Sequence, residues 1–309
     1  MNDSTTLDEV ISCAAFKGFG PLLFPASLSV KDRLLPLSEA SRLFTQHEHV
    51  DTQELLLVLN SMQRLCRRGK KIFFDIYSDQ EKQNDPAKAA TGLFFFRGVR
   101  GGPFAVIVPG CGEYVASLPE SFPCALELCR PGFNVFCLHY RPGAAQICED
   151  LAAAITFIFA HAAELGIMTE AYSLWGSSAG GDAAAYLASY GPHAFGGANL
   201  PRAASLILQH CDHANYTRRE PPTFSCAGAD DSEALLKTMR SRTDKLRSCG
   251  IDAEFHVYPG VSGGFGLGTG TAAEGWLQSA AAFWKRHLTP GARRCLRRRP
   301  AVRPLDHIK

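Results

Sequence analysis

The 309-residue sequence predicts an α/β fold, an eight-stranded and mostly parallel sheet with helices on both faces, and three observations carry that reading. From Lys71 onward, short apolar runs alternate with longer amphipathic segments. Parallel strands need a crossover, and the amphipathic segments that lie between the third strand and the last supply such crossovers. After the fifth apolar run stands Gly176-Ser177-Ser178-Ala179-Gly180, a small-residue turn of the kind that joins a strand tightly to a helix.

Taken in order, strands are predicted over 72–77, 93–97, 104–109, 134–139, 171–175, 205–208, 223–227 and 253–258. Helices are predicted over 120–130, 146–165, 178–189, 232–248 and 272–287. The first two strands have no helical pattern between them and read as an antiparallel start. Ahead of the sheet, Phe16-Lys-Gly-Phe-Gly-Pro-Leu-Leu-Phe-Pro25 is punctuated by glycine and proline and reads as an irregular arm. Leu55, Leu56, Leu59, Met62 and Leu65 recur at helical spacing, so 52–67 reads as an amphipathic helix docked on the core or covering a cleft. The chain thus divides into an arm with a helix (1–70), an α/β domain (71–289) and a basic tail (290–309).

Composition narrows the function. The formal charge of +2 implies no polyanionic partner, and the run Ala292-Arg-Arg-Cys-Leu-Arg-Arg-Arg-Pro-Ala-Val-Arg303 has no aromatic platform, so it reads as a solvated tail with no nucleic acid expected. Eleven cysteines without a C-x-x-C pair read as reduced thiols of a cytoplasmic protein. The acidic N-terminus is no signal peptide, and no apolar run approaches the ~18 residues of a membrane span. No motif calls for a cofactor or a metal. His210-Cys-Asp-His213 has ligand-type residues without a second matching pair, and His47-Glu-His49 reads as a solvated stretch.

The turn at 176–180 matches G-x-S-x-G. A glycine-serine turn arises easily by chance, but here apolar residues Tyr172 to Trp175 precede it and an alanine-rich helix follows, the context in which the central serine becomes an exposed nucleophile. Ser178 is therefore the candidate nucleophile.

With that order of parts, several stretches resemble bacterial α/β-hydrolases of the acetyl-esterase and xylan-esterase-like group. They are Asp85-Pro-Ala-Lys-Ala-Ala-Thr-Gly-Leu-Phe-Phe-Phe-Arg-Gly98, Val106-Ile-Val-Pro-Gly-Cys-Gly112, Tyr172-Ser-Leu-Trp-Gly-Ser-Ser-Ala-Gly180, Pro221-Pro-Thr-Phe224 and Gly264-Phe-Gly-Leu-Gly-Thr-Gly-Thr-Ala-Ala-Glu-Gly-Trp276. The resemblance implies the α/β-hydrolase fold and hydrolysis of short-acyl carboxylic esters, acetylated sugars among them, with a small-molecule ester as partner. Fold alone does not assign chemistry, so the site is argued by residue.

A serine hydroxyl needs a base, a carboxylate to orient that base, and donors for the oxyanion. The amide of Ala179 is one expected donor, at the start of a helix where the dipole adds to it. The resembling group carries Pro-Gly-Gly-Gly after the third strand, where this chain has Pro109-Gly-Cys-Gly, so Cys111 and Gly112 are the second expected source. After the seventh strand Asp230 and Asp231 are both available, and the group's pattern favours Asp231 as the acid; either also suits the N-cap of the following helix. The base is expected from the loop after the eighth strand, Tyr258-Pro-Gly-Val-Ser-Gly-Gly-Phe-Gly-Leu-Gly268. The group has His-Gly-Phe-Gly-Leu-Gly there, and an ungapped match puts its histidine at Gly263. No histidine lies between His256, a strand residue, and His287, at the end of the last helix. His213, after the sixth strand where loops of such a sheet line the cleft, is a candidate stand-in base. Two functions follow: a serine esterase impaired at the Gly263 position, or a non-catalytic ligand-binding pseudoenzyme on the same scaffold.

Overall fold

The computed structural model describes residues 1–44, 51–110 and 117–297. Its eight strands are β1 (Phe73–Phe74), β2 (Gly92–Phe96), β3 (Gly102–Val108), β4 (Asn134–His139), β5 (Ile167–Ser177), β6 (Ser205–Gln209), β7 (Thr223–Gly228) and β8 (Ala253–Tyr258). They form one sheet in the order β1-β2-β4-β3-β5-β6-β7-β8. The β1/β2 and β2/β4 pairs are antiparallel and the remaining pairs parallel. The predicted architecture and the antiparallel start are both present.

Alternate residues of the strands feed two cores, because successive side chains point to opposite faces. One face carries Ile107, Val135, Trp175, Ile207 and Phe224. The helices packed on it are α3 (Thr52–Arg67), α5 (Phe122–Cys129), α10 (Trp276–Arg286) and α11 (Pro290–Arg297). The other face carries Val106, Phe136, Leu174, Leu206 and Leu208, under α6 (Ala144–Ala160), α7 (Ala162–Leu165) and α8 (Ser178–Tyr190). A further helix, α9 (Glu233–Ser248), packs on β7 and β8. The N-terminal arm contains two short helices, α1 (Leu7–Ile11) and α2 (Val30–Arg33), and several 3-10 turns. Its Leu7, Val10, Phe16 and Leu37 are fully buried in the same core as Leu55 and Leu59 of α3. Arm, helix and sheet thus share one apolar interior, and the docked reading of 52–67 is the one observed.

Several boundaries differ from the sequence reading, each for a local reason. β1 is two residues long because Tyr77 leaves the sheet edge and donates its hydroxyl to Asp150 Oδ1 at 2.5 Å. Next to it, Ser78 caps an unforeseen helix, α4 (Asp79–Asn84), in a reciprocal box with Glu81, so the first two strands do have a helix between them. The stretch 120–130 begins as a π-turn, Ser117–Ser121, and becomes α-helical only from Phe122; Pro119 and Pro123 lack the donors a continuous helix would need. The predicted helix 146–165 breaks at His161, whose ψ of 14° is not helical. α10 starts at Trp276 because Gly275 sits at φ +90°. β5 begins four residues early and crosses a register shift opposite Pro103 and Ala105, with Ala171 at φ +62°.

Past the end of β4, Arg141 is a buried hub. Its guanidinium pairs with Asp150 at 2.7 Å, Asp85 at 2.6 Å and Glu149 at 3.0 Å, and its amide donates to Asp150 Oδ2 at 2.7 Å. Tyr77 and Arg141 together satisfy a carboxylate that is fully removed from water.

Candidate active site

The strand-to-helix turn is built by what its glycines lack. A Cβ on Gly176 would stand 2.5 Å from the Gly180 carbonyl oxygen, and one on Gly180 would stand 2.3 Å from the carbonyl oxygens of Val108 and Pro109. Backbone fills those places, so only glycine allows β5 to turn directly into α8. Ser178 takes the corner at φ +46°, in the left-handed region that L-residues with a side chain avoid, and it is exposed. Its amide donates to the carbonyl of His210 at 3.0 Å. Ala179 follows in the first turn of α8, where backbone amides have no partner within the helix.

The loop after β3 reaches the same corner: a Cβ on Gly110 would lie 3.5 Å from Ser178 Cβ. The Gly110 amide is held by the buried Glu120 carboxylate, with 3.1 Å to Oε1 and 3.2 Å to Oε2, and Ser177 donates its hydroxyl to the same Oε1. Glu120 therefore ties the end of β3 to the end of β5. Cys111 and Gly112, the expected second source of oxyanion donors, lie outside the described residues, as do His47 and His49 and the tail from 298 onward.

Asp231 sits beyond β7 with its side chain 2 % exposed. Gly228 donates to Oδ2 at 3.0 Å and Gly263 donates to Oδ1 at 2.7 Å. The cap of α9 is Ser232, which accepts from the Leu235 amide, so Asp231 is free of the capping role; Asp230 is exposed. Gly263 lies beside Asp231, at φ +61°, and it contributes a backbone amide where the resembling esterases have an imidazole.

The described histidines divide clearly. His213 is 5 % exposed; its Nδ1 lies 3.0 Å from Asp182 of α8 and its ring stands edge-on to Tyr186, so the structure pairs it with Asp182 and does not bring it to Asp231. His256 pairs with Glu254 within β8 and stacks on Phe224, and His287 pairs with Asp252. His210 is the histidine against the acid: its Nδ1 lies 2.9 Å from Asp231 Oδ1. That is an ion-pair distance, with the ring N–H turned off the carboxylate so that the contact does not complete a hydrogen bond. His210 is also at φ +46°, the first residue beyond β6, and its ring is 29 % exposed. Sequence reasoning singled out the cluster His210-Cys-Asp-His213 but chose its other end; the signal that separates them is the position of residue 210 directly at the strand end.

The site thus gathers Ser178, His210, Asp231 and Gly263 at the carboxyl ends of β5 to β8, with Gly110 and Glu120 from β3 and its following turn. Among the described residues no cluster of three or more His, Cys, Asp or Glu is placed to hold a metal ion. No helix among them is long and apolar enough to cross a membrane.

Comparison with known proteins agrees with this fold. The BD-FAE family model matches residues 106–200, the span from β3 through the serine corner and α8. Among solved structures, esterase 2 of the Planctomycetes species Thermogutta terrifontis is similar with propionate bound, at TM-score 0.57 and 20 % identity over 65 % of this chain and 91 % of that one. The same esterase phosphoramylated by tabun gives a TM-score of 0.55 and 21 % identity, over 65 % of this chain and 91 % of that one. Its butyrate-bound form gives 0.53 and 20 %, over 65 % and 91 %. No curated protein sequence matches the chain.

Proposed function

We propose that this α/β-hydrolase-fold chain is a serine carboxylic-ester hydrolase that acts on short acyl esters, of the acetyl type, through Ser178. The observation that carries the reading is Ser178 itself: an exposed hydroxyl on a strained left-handed residue, between glycines that nothing larger can replace. A buried aspartate oriented by two backbone amides stands two strands away. The similar esterase supports the acyl length, since it is known with propionate and with butyrate bound. In the proposed reaction the amide of Ala179 and the loop containing Cys111 and Gly112 receive the oxyanion, and Asp231 orients the base. No cofactor or metal takes part, and the described cysteines, all free, suit the reducing cytoplasm.

Gly263 favours a second reading, a ligand-binding pseudoenzyme, because without any base only the oxyanion hole and binding remain, about 10³–10⁴-fold over water. Hydrolysis of p-nitrophenyl acetate and labelling by a fluorophosphonate separate the two. The enzyme reading expects a rate and a label that Ser178→Ala abolishes. A chain that shows neither is the binding protein.

A further inference from the structure

We propose that His210 is the general base of this site, supplied from the end of β6 in place of a histidine at position 263. The inference rests on the reading of Ser178 as nucleophile. Its first ground is sheet order. β6 lies between β5 and β7, and adjacent strands are about 4.8 Å apart, so the strand ends bearing Ser178 and Asp231 are separated by about 10 Å with the end of β6 midway. His210 is the first residue past that end. A base there stands between nucleophile and acid, as the chemistry requires.

The contacts agree with the placement. The His210 carbonyl accepts the Ser178 amide at 3.0 Å, which fixes the two backbones side by side. On the other side Nδ1 lies 2.9 Å from Asp231 Oδ1 and is buried, which leaves Nε2 as the nitrogen for proton transfer, on a ring that keeps 29 % exposure. Small rotation of the ring aligns Nδ1–H with the carboxylate, the kind of tightening that occurs when substrate binds. His210 also holds the same left-handed torsion as Ser178, φ +46°, although glycine would relieve it. Strain of that kind, kept at a residue touching both the nucleophile and the acid, marks a functional position.

The steps balance without any further reagent. Ser178 Oγ attacks the ester carbonyl carbon while its proton passes to Nε2 of His210. The imidazolium, steadied by Asp231, gives that proton to the alkoxide as the carbon–oxygen bond to the alcohol breaks, leaving the acyl group on Ser178. Water then gives a proton to Nε2 as its oxygen attacks the acyl carbon, and the bond to Oγ breaks with return of the proton to serine, releasing the acid.

The test measures p-nitrophenyl acetate hydrolysis and fluorophosphonate labelling in the full chain and in Ser178→Ala, His210→Ala, His210→Gly and His213→Gln. His210→Gly suits the left-handed backbone and guards against loss of fold, which thermal unfolding checks. The proposal expects a Ser178-dependent rate in the starting chain that falls about 10³-fold or more in both His210 variants, as for loss of a triad base. Added imidazole should restore part of it in His210→Gly and none in Ser178→Ala, a response that a packing role would not give. A Ser178-dependent rate that survives within twofold in His210→Gly, or is lost in His213→Gln instead, overturns His210 and leaves the esterase reading standing. Absence of any Ser178-dependent rate or label in the starting chain overturns the esterase reading and His210 with it.

Discussion

Replacing Ser178 by glycine should make the protein inactive and more stable than replacing it by alanine. Both substitutions remove the hydroxyl, so they differ only in what the backbone at φ +46° costs. A left-handed torsion disfavours an L-residue by about 1–2 kcal/mol. Glycine lifts that penalty but loosens the unfolded chain, which offsets about 0.4–1 kcal/mol of the gain. Because residue 178 is exposed, no buried apolar surface is lost with the methyl group. The net advantage of Ser178→Gly over Ser178→Ala is therefore about 0.5–1 kcal/mol, or about 1–4 °C in Tm at roughly 2–4 °C per kcal/mol. Differential scanning calorimetry of the two variants measures it, beside p-nitrophenyl acetate hydrolysis. Ala171→Gly, at φ +62° inside β5 at its register shift, is the comparison: its methyl packs on the core, so its gain is smaller, and activity is unaffected. If Ser178→Gly melts at or below Ser178→Ala, the torsion is not strained and the strand-to-helix turn loses its energetic signature.

Other outcomes are equally specific. Glu120→Ala leaves the Gly110 amide and the Ser177 hydroxyl without their shared carboxylate, and at about 1–3 kcal/mol for each orphaned buried donor the loss should be about 2–6 kcal/mol by denaturant titration. Glu120→Gln keeps an acceptor oxygen and should lose less; equal effects would show that Glu120 does not act through these bonds. Asp150→Ala strands the buried Arg141 guanidinium and the Tyr77 hydroxyl, and should cost about 3–5 kcal/mol; a loss below 1 kcal/mol would mean that Asp85 and Glu149 suffice. Burial pushes the His139 imidazole down to about 4. Its folded value is below its unfolded one, so it contributes stability that is present above about pH 6.5 and lost as pH falls toward 4. His139→Asn should flatten that part of the stability profile, and an unchanged slope would place the acid sensitivity elsewhere.

What could be read from the residues was whatever is local. The eight strands show as apolar runs, the strand-to-helix turn shows because Gly176 and Gly180 bracket a serine, and Asp231 follows its strand closely enough to be counted. The order of strands across the sheet is not local, and it decides which loop lies between Ser178 and Asp231. A histidine's use depends on the neighbours it meets across that order: His210 meets Asp231 and His213 meets Asp182. Other differences were local signals passed over: Ser78 and Glu81 spell a capping box, and Pro119 and Pro123 foretell the uneven start of α5. The burial of the N-terminal arm had no such signal, since its apolar residues follow no single period and their partners are far along the chain.

The hydrogen bond from the Gly263 amide to Asp231 separates two duties that one position usually discharges together. Any residue but proline presents the same amide, so the carboxylate stays aimed whatever side chain position 263 carries. Its left-handed torsion then biases the choice toward glycine. A lineage in which another imidazole already contacts Asp231 can drift at 263 without disturbing the acid, and the drift runs toward relief of backbone strain. The loop after β8 thus serves as scaffolding for the carboxylate, and on the assignment proposed above the proton transfers fall to the end of β6, two strands across the sheet.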